Sequence, residues 1–252
     1  MPACKGRPDL KLERAALHLA ELRQAIDAYR YGTHFHAVTT QSPAGDGIEV
    51  RLRVTTPPPL ERWSLMFGDC VHNIRAALDH LAWQLDSNPG RDTTFPTFTH
   101  APTGWPSPAV RRMDSQAQTI IEQVQPYHEV AAGRDVDLHP LAALHELDIS
   151  DKHRVLTVTI GALAGDITSG LPFGAQIESA VWQEFVDGAL ISRIRFPGGP
   201  VNASALECSP SFDAVLIDPP LQSANVTWVL EELLLHWVRT YVVAPLTPFM
   251  RP

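Results

Sequence analysis

Trp63 to Gln84 reads WSLMFGDCVHNIRAALDHLAWQ, and the reading of this stretch decides the rest of the fold. At about 100° per residue, Met66, Cys70, Ile74, Ala77, Leu78, Leu81 and Leu85 fall on one apolar stripe, the core-facing signature of an amphipathic helix. In an ordinary helix the opposite side is a solvated surface. Here it carries Asp69, His72, Asp79, His80 and Trp83 around the small Ala76. The stretch therefore predicts a central helix with a second, polar face on which something packs or binds.

Working outward, Leu10, Leu12, Ala15, Leu17, Leu19, Leu22, Ile26 and Tyr29 recur at near-helical spacing, and Gly32 follows as a stop signal, so a first helix is expected over about 9–31. Between it and the central helix, Ile48, Val50, Leu52 and Val54 alternate with Glu49, Arg51 and Arg53, which with 35–40 predicts a hairpin with one wet face. Downstream, residues 86–107 are rich in Pro, Gly, Thr and Asn and read as a long ordered loop anchored by Phe95 and Phe98, the kind of loop that often borders a site. A third helix is expected from Pro108 or Ala109 to Val124, and a fourth through Pro140–Asp148 with Asp151-Lys152-His153-Arg154 at its end or just past it. The pattern then turns strand-like: 155–160 is β-rich, 177–186 and 189–196 flank the hairpin signal Asp187-Gly188, and 214–217 is a further strand. Residues 225–243 return to a helical pattern, with Val226, Val229, Leu230, Leu233, Leu234, Trp237, Val238 and Tyr241 on the apolar face. The sum is an α+β protein: a bundle of about five helices with a mostly antiparallel β-sheet. A single domain over 1–252 is expected, because the last helix completes the bundle begun before the strands.

Composition sets the bounds. With 252 residues and 44% hydrophobic content the chain builds a sizeable core. The 28 acidic and 20 basic residues give a net charge of −8 with no basic run, which argues against broad electrostatic attraction to nucleic acid or anionic lipid. Cys4, Cys70 and Cys208 are odd in number and widely spaced, as in a reducing compartment. The N-terminus lacks a signal-like apolar run and no segment approaches the roughly 20 apolar residues of a membrane span, so a cytoplasmic protein without a membrane partner is expected. Glycosylation-type patterns at Asn202 and Asn225 matter only in a secreted context. Nucleotide-binding glycine loops and the serine-hydrolase elbow are absent, and no cofactor is implied.

Three constellations carry chemistry. Asp69, His72, Asp79 and His80 share the second face of the central helix, where an imidazole and carboxylates can converge on an ion, a substrate or a neighbouring helix. The His-Glu-x-x-His spacing is missing, so no metal ligands are assigned. His145, Glu146, Asp148, Asp151, Lys152, His153 and Arg154 form a dense ionisable tract after an apolar helix; cations there suit the helix dipole, and Lys152 or Arg154 is suited to pair with Asp69 or Asp79 in a buried lock. The third is Arg75-Ala76-Ala77-Leu78-Asp79-His80, flanked by Asn73. Its bland reading is an Arg75–Asp79 pair one turn apart, with His80 bonding on the helix surface.

This Arg-x4-His spacing resembles the R-x4-6-H motif of the HEPN superfamily, helical-bundle proteins many of which are RNA-cutting toxins or defence factors. The resemblance implies a metal-independent endoribonuclease, usually a homodimer, with His80 as general acid/base and Arg75 steadying the phosphate. The ordered set Gly68–Ala82, Phe95-Pro96, Gln125-Pro126-Tyr127 and Asp151-Lys152-His153-Arg154 also resembles a group of uncharacterised bacterial proteins, which implies a common fold and site over about the first 160 residues. The reading taken forward is a HEPN-like RNA-cleaving or defence protein acting through Arg75 and His80, with Asp69, His72, Asn73, Asp79, Asp151, Lys152, His153 and Arg154 in binding or supporting roles. The alternatives are a non-enzymatic ligand- or partner-binding module and a metal-dependent hydrolase built on the His/Asp clusters.

Overall fold

The computed structural model describes residues 7–42, 46–171, 174–179, 185–196 and 206–251. The elements are α1 (Pro8–Arg30), β1 (Phe35–Gln41), β2 (Gly47–Val54), α2 (Leu60–Leu85), α3 (Ser115–Gln123), the single turn α4 (His128–Ala131), α5 (Pro140–His153), β3 (Val158–Ser169), β4 (Gln176–Ser179), β5 (Leu190–Arg195), β6 (Glu207–Leu216), and a closing helix α6 formed by Val226–Trp228, Val229–His236, Val238–Val243 and Ala244–Leu246 in succession. The fold is α+β, with a four-stranded antiparallel sheet in the order β1-β2-β5-β4 and a two-stranded sheet, β3-β6. Contacts divide the chain into two units, one within Met1–Arg23, Glu61–Val158 and Leu216–Pro252, the other within Gln24–Leu60 and Thr159–Val215. Among the described residues no helix is long and apolar enough to cross a membrane.

The first unit is helical and α2 is its axis. Trp63, Phe67, Cys70, Val71, Ile74, Ala77, Leu78, Leu81, Ala82 and Leu85 are all buried, an arc wider than the sequence stripe, while Met66 is only half-buried. A helix with so little exposed surface is packed on several sides. Leu12, Ala15, Leu19 and Leu22 of α1, and Leu141, Ala142, Ala143, Leu144 and Leu147 of α5, are buried in the same unit. His139 opens α5: its Nδ1 accepts the Leu141 N–H at 3.2 Å, and Pro140 takes the first helical position, where a missing N–H does no harm.

Several boundaries differ from the sequence reading for local reasons. The third helix starts at Ser115, not near Pro108, because Asp114 is extended and its carboxylate caps the Gln116 N–H at 2.8 Å. Val110 and Met113 stay buried, but in the turns that precede the cap. The strand expected at 155–160 begins at Val158, where side chains hold the amides at the boundary: Thr157 donates to the Asp218 carboxylate at 2.5 Å, and Val158 to Ser64 Oγ at 2.9 Å. The largest departure is in α6. Its middle turns carry i→i+5 hydrogen bonding, which winds the chain more loosely than 3.6 residues per turn. Val226, Leu230, Leu234, Val238, Val242 and Leu246 are buried at intervals of four, with Val229, Leu235 and Val243 buried beside them, and Tyr241, placed on the core face by the sequence, is 54% exposed.

The second unit holds the strands. The expected early hairpin is present, with Phe35 opposite Val54 and Gln41 opposite Ile48. Gln176–Ser179 pairs with Leu190–Arg195, Gln176 facing Arg195; residues 180–184 of the expected first arm lie outside the described residues. Gly188 has φ +84, a left-handed conformation suited to glycine, and its N–H reaches the Leu52 carbonyl at 2.8 Å, which ties this turn to β2. Phe185 and Phe212 meet Phe35 edge to face, as Phe212 meets Tyr29, while Tyr29 and Phe35 are stacked, and burial pushes the Tyr29 phenol up to about 12 while its O–H donates to the Thr56 carbonyl at 2.7 Å.

Candidate functional site

The polar face of α2 meets α5 and the 95–97 segment of the long loop, all within the helical unit. Gly68 makes the close approach of the helices workable: a Cβ there would strike the Asp151 carboxylate. One turn further along, His72 Nδ1 lies 3.2 Å from Asp148 Oδ1, and Lys152 donates to Asp148 Oδ2 at 2.5 Å from the same face of α5. Asp148 is 3% exposed at its side chain, whereas His72 is 53% and Lys152 55% exposed. A nearly dry carboxylate therefore stands behind two solvent-facing groups, each of which is positive when protonated. The polar groups of the central helix and those of the 145–154 tract do come together.

Electrostatics around this pair are uneven. The Asp151 carboxyl is raised above its ordinary range, first by burial and then by the neighbouring Asp148 and Asp69 charges. His145 is lowered, again first by burial, with Arg75 and Lys152 in the same direction and Glu146 and Asp148 opposing. Cys70 is a core residue: its Sγ lies 3.3 Å from the Ala15 carbonyl and burial pushes the thiol up to about 12, far from a reactive thiolate.

Arg75 and His80 are both engaged by neighbouring chain. Arg75, 8% exposed at its side chain, donates to Asp79 Oδ1 at 3.0 Å, to the Phe95 carbonyl at 2.7 Å and to Thr97 Oγ1 at 3.2 Å, while Asp79 Oδ1 also accepts the Phe95 N–H at 3.0 Å. This arginine and this aspartate fasten the loop to the helix. His80 Nδ1 accepts the Arg7 backbone N–H at 3.2 Å. Asn73 donates to the Asp69 carbonyl at 2.8 Å and accepts from Lys11 at 3.4 Å. His153 is exposed, and Asp69 is exposed beside Asp151. Arg154 pairs with the buried Asp218, not with Asp69 or Asp79.

The motif set noted in the sequence is thus joined by hydrogen bonds. Gln125, buried, donates to the Pro96 and Ile121 carbonyls at 3.3 and 2.9 Å and accepts the Phe98 N–H at 2.9 Å, and Tyr127 N–H reaches the Phe98 carbonyl at 3.1 Å. Sequence reasoning did not single out Asp148 as the hub or Asp218 and Thr97 as partners. For Asp148 a signal existed, a carboxylate beside Leu147 just after the apolar run 141–144, with His145 three residues before and Lys152 four after. For Asp218, at the end of a predicted strand, there was none. Among the described residues no group of three or more His, Cys, Asp or Glu side chains is arranged to hold a metal ion. No protein-family model matches the chain, and no curated protein or solved structure is significantly similar to it.

Proposed function

We propose that the α2–α5 face is a metal-independent acid–base site acting on RNA phosphodiesters, with His72 as proton carrier, Asp148 as the carboxylate that aligns it, and Lys152 as the contact to phosphate. The observation that carries this reading is the 3.2 Å approach of an exposed imidazole to a carboxylate that is 3% exposed. Such a carboxylate orients the ring through Nδ1, leaves Nε2 toward solvent, and stabilises the imidazolium formed on proton uptake. Lys152 has three ammonium donors, and its bond to Asp148 leaves capacity for an anion. The RNA substrate comes from the HEPN resemblance of the Arg75–His80 spacing, which also carries a homodimer. In this reading Arg75 positions the loop beside the site.

A second reading, a non-enzymatic binding module, is favoured by one specific fact: Arg75, Asp79 and His80 are already bonded within the chain. The two separate in one experiment, incubation of the purified protein with pooled cellular RNA in EDTA and in added divalent metal, beside His72→Ala, Asp148→Asn and His80→Ala. The acid–base reading expects cleavage in EDTA that falls by about 10²–10⁴-fold in His72→Ala and survives in His80→Ala. Loss in His80→Ala with activity retained in His72→Ala would return the chemistry to the Arg-x4-His pair. No cleavage by the wild type in any condition would leave the binding module as the better account.

A further inference from the structure

The first part of the long loop, which the acid–base site leaves unused, walls a cleft of about 460 Å³ between the end of α2 and the turns that precede α3, wholly within the helical unit. Small-molecule sites span about 300–1,000 Å³. The frame of the cleft is Asp86, the residue that follows α2, whose side chain is 2% exposed. A carboxylate out of water at the negative end of a helix needs a cation. Arg112 supplies it through two parallel bonds, Nε to Oδ1 at 2.8 Å and Nη2 to Oδ2 at 2.6 Å. The Asn88 N–H donates to the same carboxylate at 2.9 Å and the Thr93 hydroxyl at 3.3 Å, while Thr93 Oγ1 accepts the Gly90 N–H at 2.9 Å. The Ser87 N–H reaches the Arg112 carbonyl at 3.1 Å. The loop is thus closed on Arg112, and the guanidinium is set in place by the chain itself.

Fastening the loop uses only part of what lines the cleft. Arg112 is 43% exposed, and among the described residues its Nη1 makes no hydrogen bond. The Asp92 carboxylate and the Asn88 side-chain amide line the same cleft, and among the described residues neither is bonded. The charges sort the ligands. Asp86 cancels Arg112 and Asp92 adds a negative charge, so a simple anion is repelled there; a simple cation finds Asp92 but is opposed by Arg112. A molecule that carries both charges close together finds a partner for each.

We propose that this cleft binds a small zwitterion of the α-amino acid class. Its carboxylate accepts from Arg112 Nη1, its ammonium donates to Asp92, and its side chain packs on Pro89, Pro108 and Ala109, the apolar part of the lining. Asn88 carries both a donor and an acceptor and serves either end. Because the bonds to Asp86 already hold Arg112, little of its rotamer freedom is lost on binding. The site stands apart from the α2–α5 face and does not depend on the RNA reading.

The test is a titration of the full chain, read by nitrogen-edited NMR at the Arg112 Nε–H and the Asn88 side-chain amide. The standard amino acids are screened one at a time up to about 10 mM, beside acetate, ethylammonium, inorganic phosphate and glucose. At least one amino acid is expected to shift both signals, and acetate and ethylammonium, each with one charge only, to bind about tenfold or more weakly. Asp92→Asn is expected to weaken the best amino acid about tenfold and to keep the wild-type melting temperature, since no bond within the described residues depends on that carboxylate. Three results overturn the proposal: no shift with any amino acid, binding of acetate, phosphate or glucose as tight as that of the best amino acid, or wild-type affinity in Asp92→Asn.

Discussion

Replacing Arg75 with methionine keeps most of the buried stem and deletes the guanidinium, and the consequence follows from what the guanidinium holds. Three acceptors lose their donor: Asp79, the Phe95 carbonyl and Thr97. Hydrogen bonds from a charged donor contribute about 1.5–3 kcal/mol each, and a buried carbonyl left dry costs about 1–3 kcal/mol. The sum is not additive. Asp79 is one-third exposed and keeps the Phe95 N–H, so water and that amide soften its loss. A net destabilisation of about 3 kcal/mol results, at the lower end for breaking a buried pair. At a urea dependence of about 3 kcal/mol per molar, the unfolding midpoint drops by about 1 M. A double-mutant cycle with Asp79→Asn should return a coupling of about 1.5 kcal/mol, several times the roughly 0.3–0.5 kcal/mol of an exposed pair one turn apart. A loss below about 1 kcal/mol, together with abolished RNA cleavage, would refute the structural role and make Arg75 a group that contacts substrate.

Two other expectations concern pH and the closing helix. Asp151 is raised in the folded state, so its contribution is present below the unfolded carboxyl range and is lost as pH rises through the folded value; Asp151→Asn should therefore stabilise the protein at neutral pH and lose that advantage in acid. Asp86 is lowered, chiefly by its hydrogen bond from Arg112, so its contribution is present above the unfolded range and lost as pH falls through the folded value; Asp86→Asn should weaken the protein at neutral pH and matter progressively less in acid, and urea midpoints measured across pH check both signs. In α6, Val242→Ala should cost about 2 kcal/mol and Tyr241→Ser less than about 0.5 kcal/mol; equal costs by thermal unfolding would mean that the helix is wound at the ordinary pitch.

Much of the fold was legible because it rests on periodicity. The α1 core positions Leu12, Ala15, Leu19 and Leu22, the α2 stripe, and the buried Ile48, Val50 and Leu52 of β2 are repeated signals that survive errors at individual residues, such as Glu49, expected on a wet face but buried and bonded to Arg51 and Arg193. Element ends were less legible, since they depend on single capping contacts: Asp114 sets the start of α3, and Ser64 and Asp218 set the start of β3. In α6 the expected Val226, Val229, Leu230, Leu234 and Val238 are buried, and Tyr241 was misplaced because the helix is wound more loosely than 3.6 residues per turn, which no residue type announces. For the candidate site, the residue types were visible and their partners were not. Arg75 and Asp79 form the one-turn pair that helical spacing allows, but the loop atoms that bury them come from 95–97, and the carboxylate behind His72 comes from a helix more than seventy positions away.

A helix whose inner face repeats every four residues also constrains how this chain can change length. Adding or removing four residues in α6 would restore the same inner face, shifted along the axis by a turn. Adding one would rotate every later position, carrying Val242 and Leu246 outward and Tyr241 inward. Related chains that keep this winding should therefore differ in the length of the closing segment in steps of four. Those that differ by a single residue should show an ordinary helical period in its place.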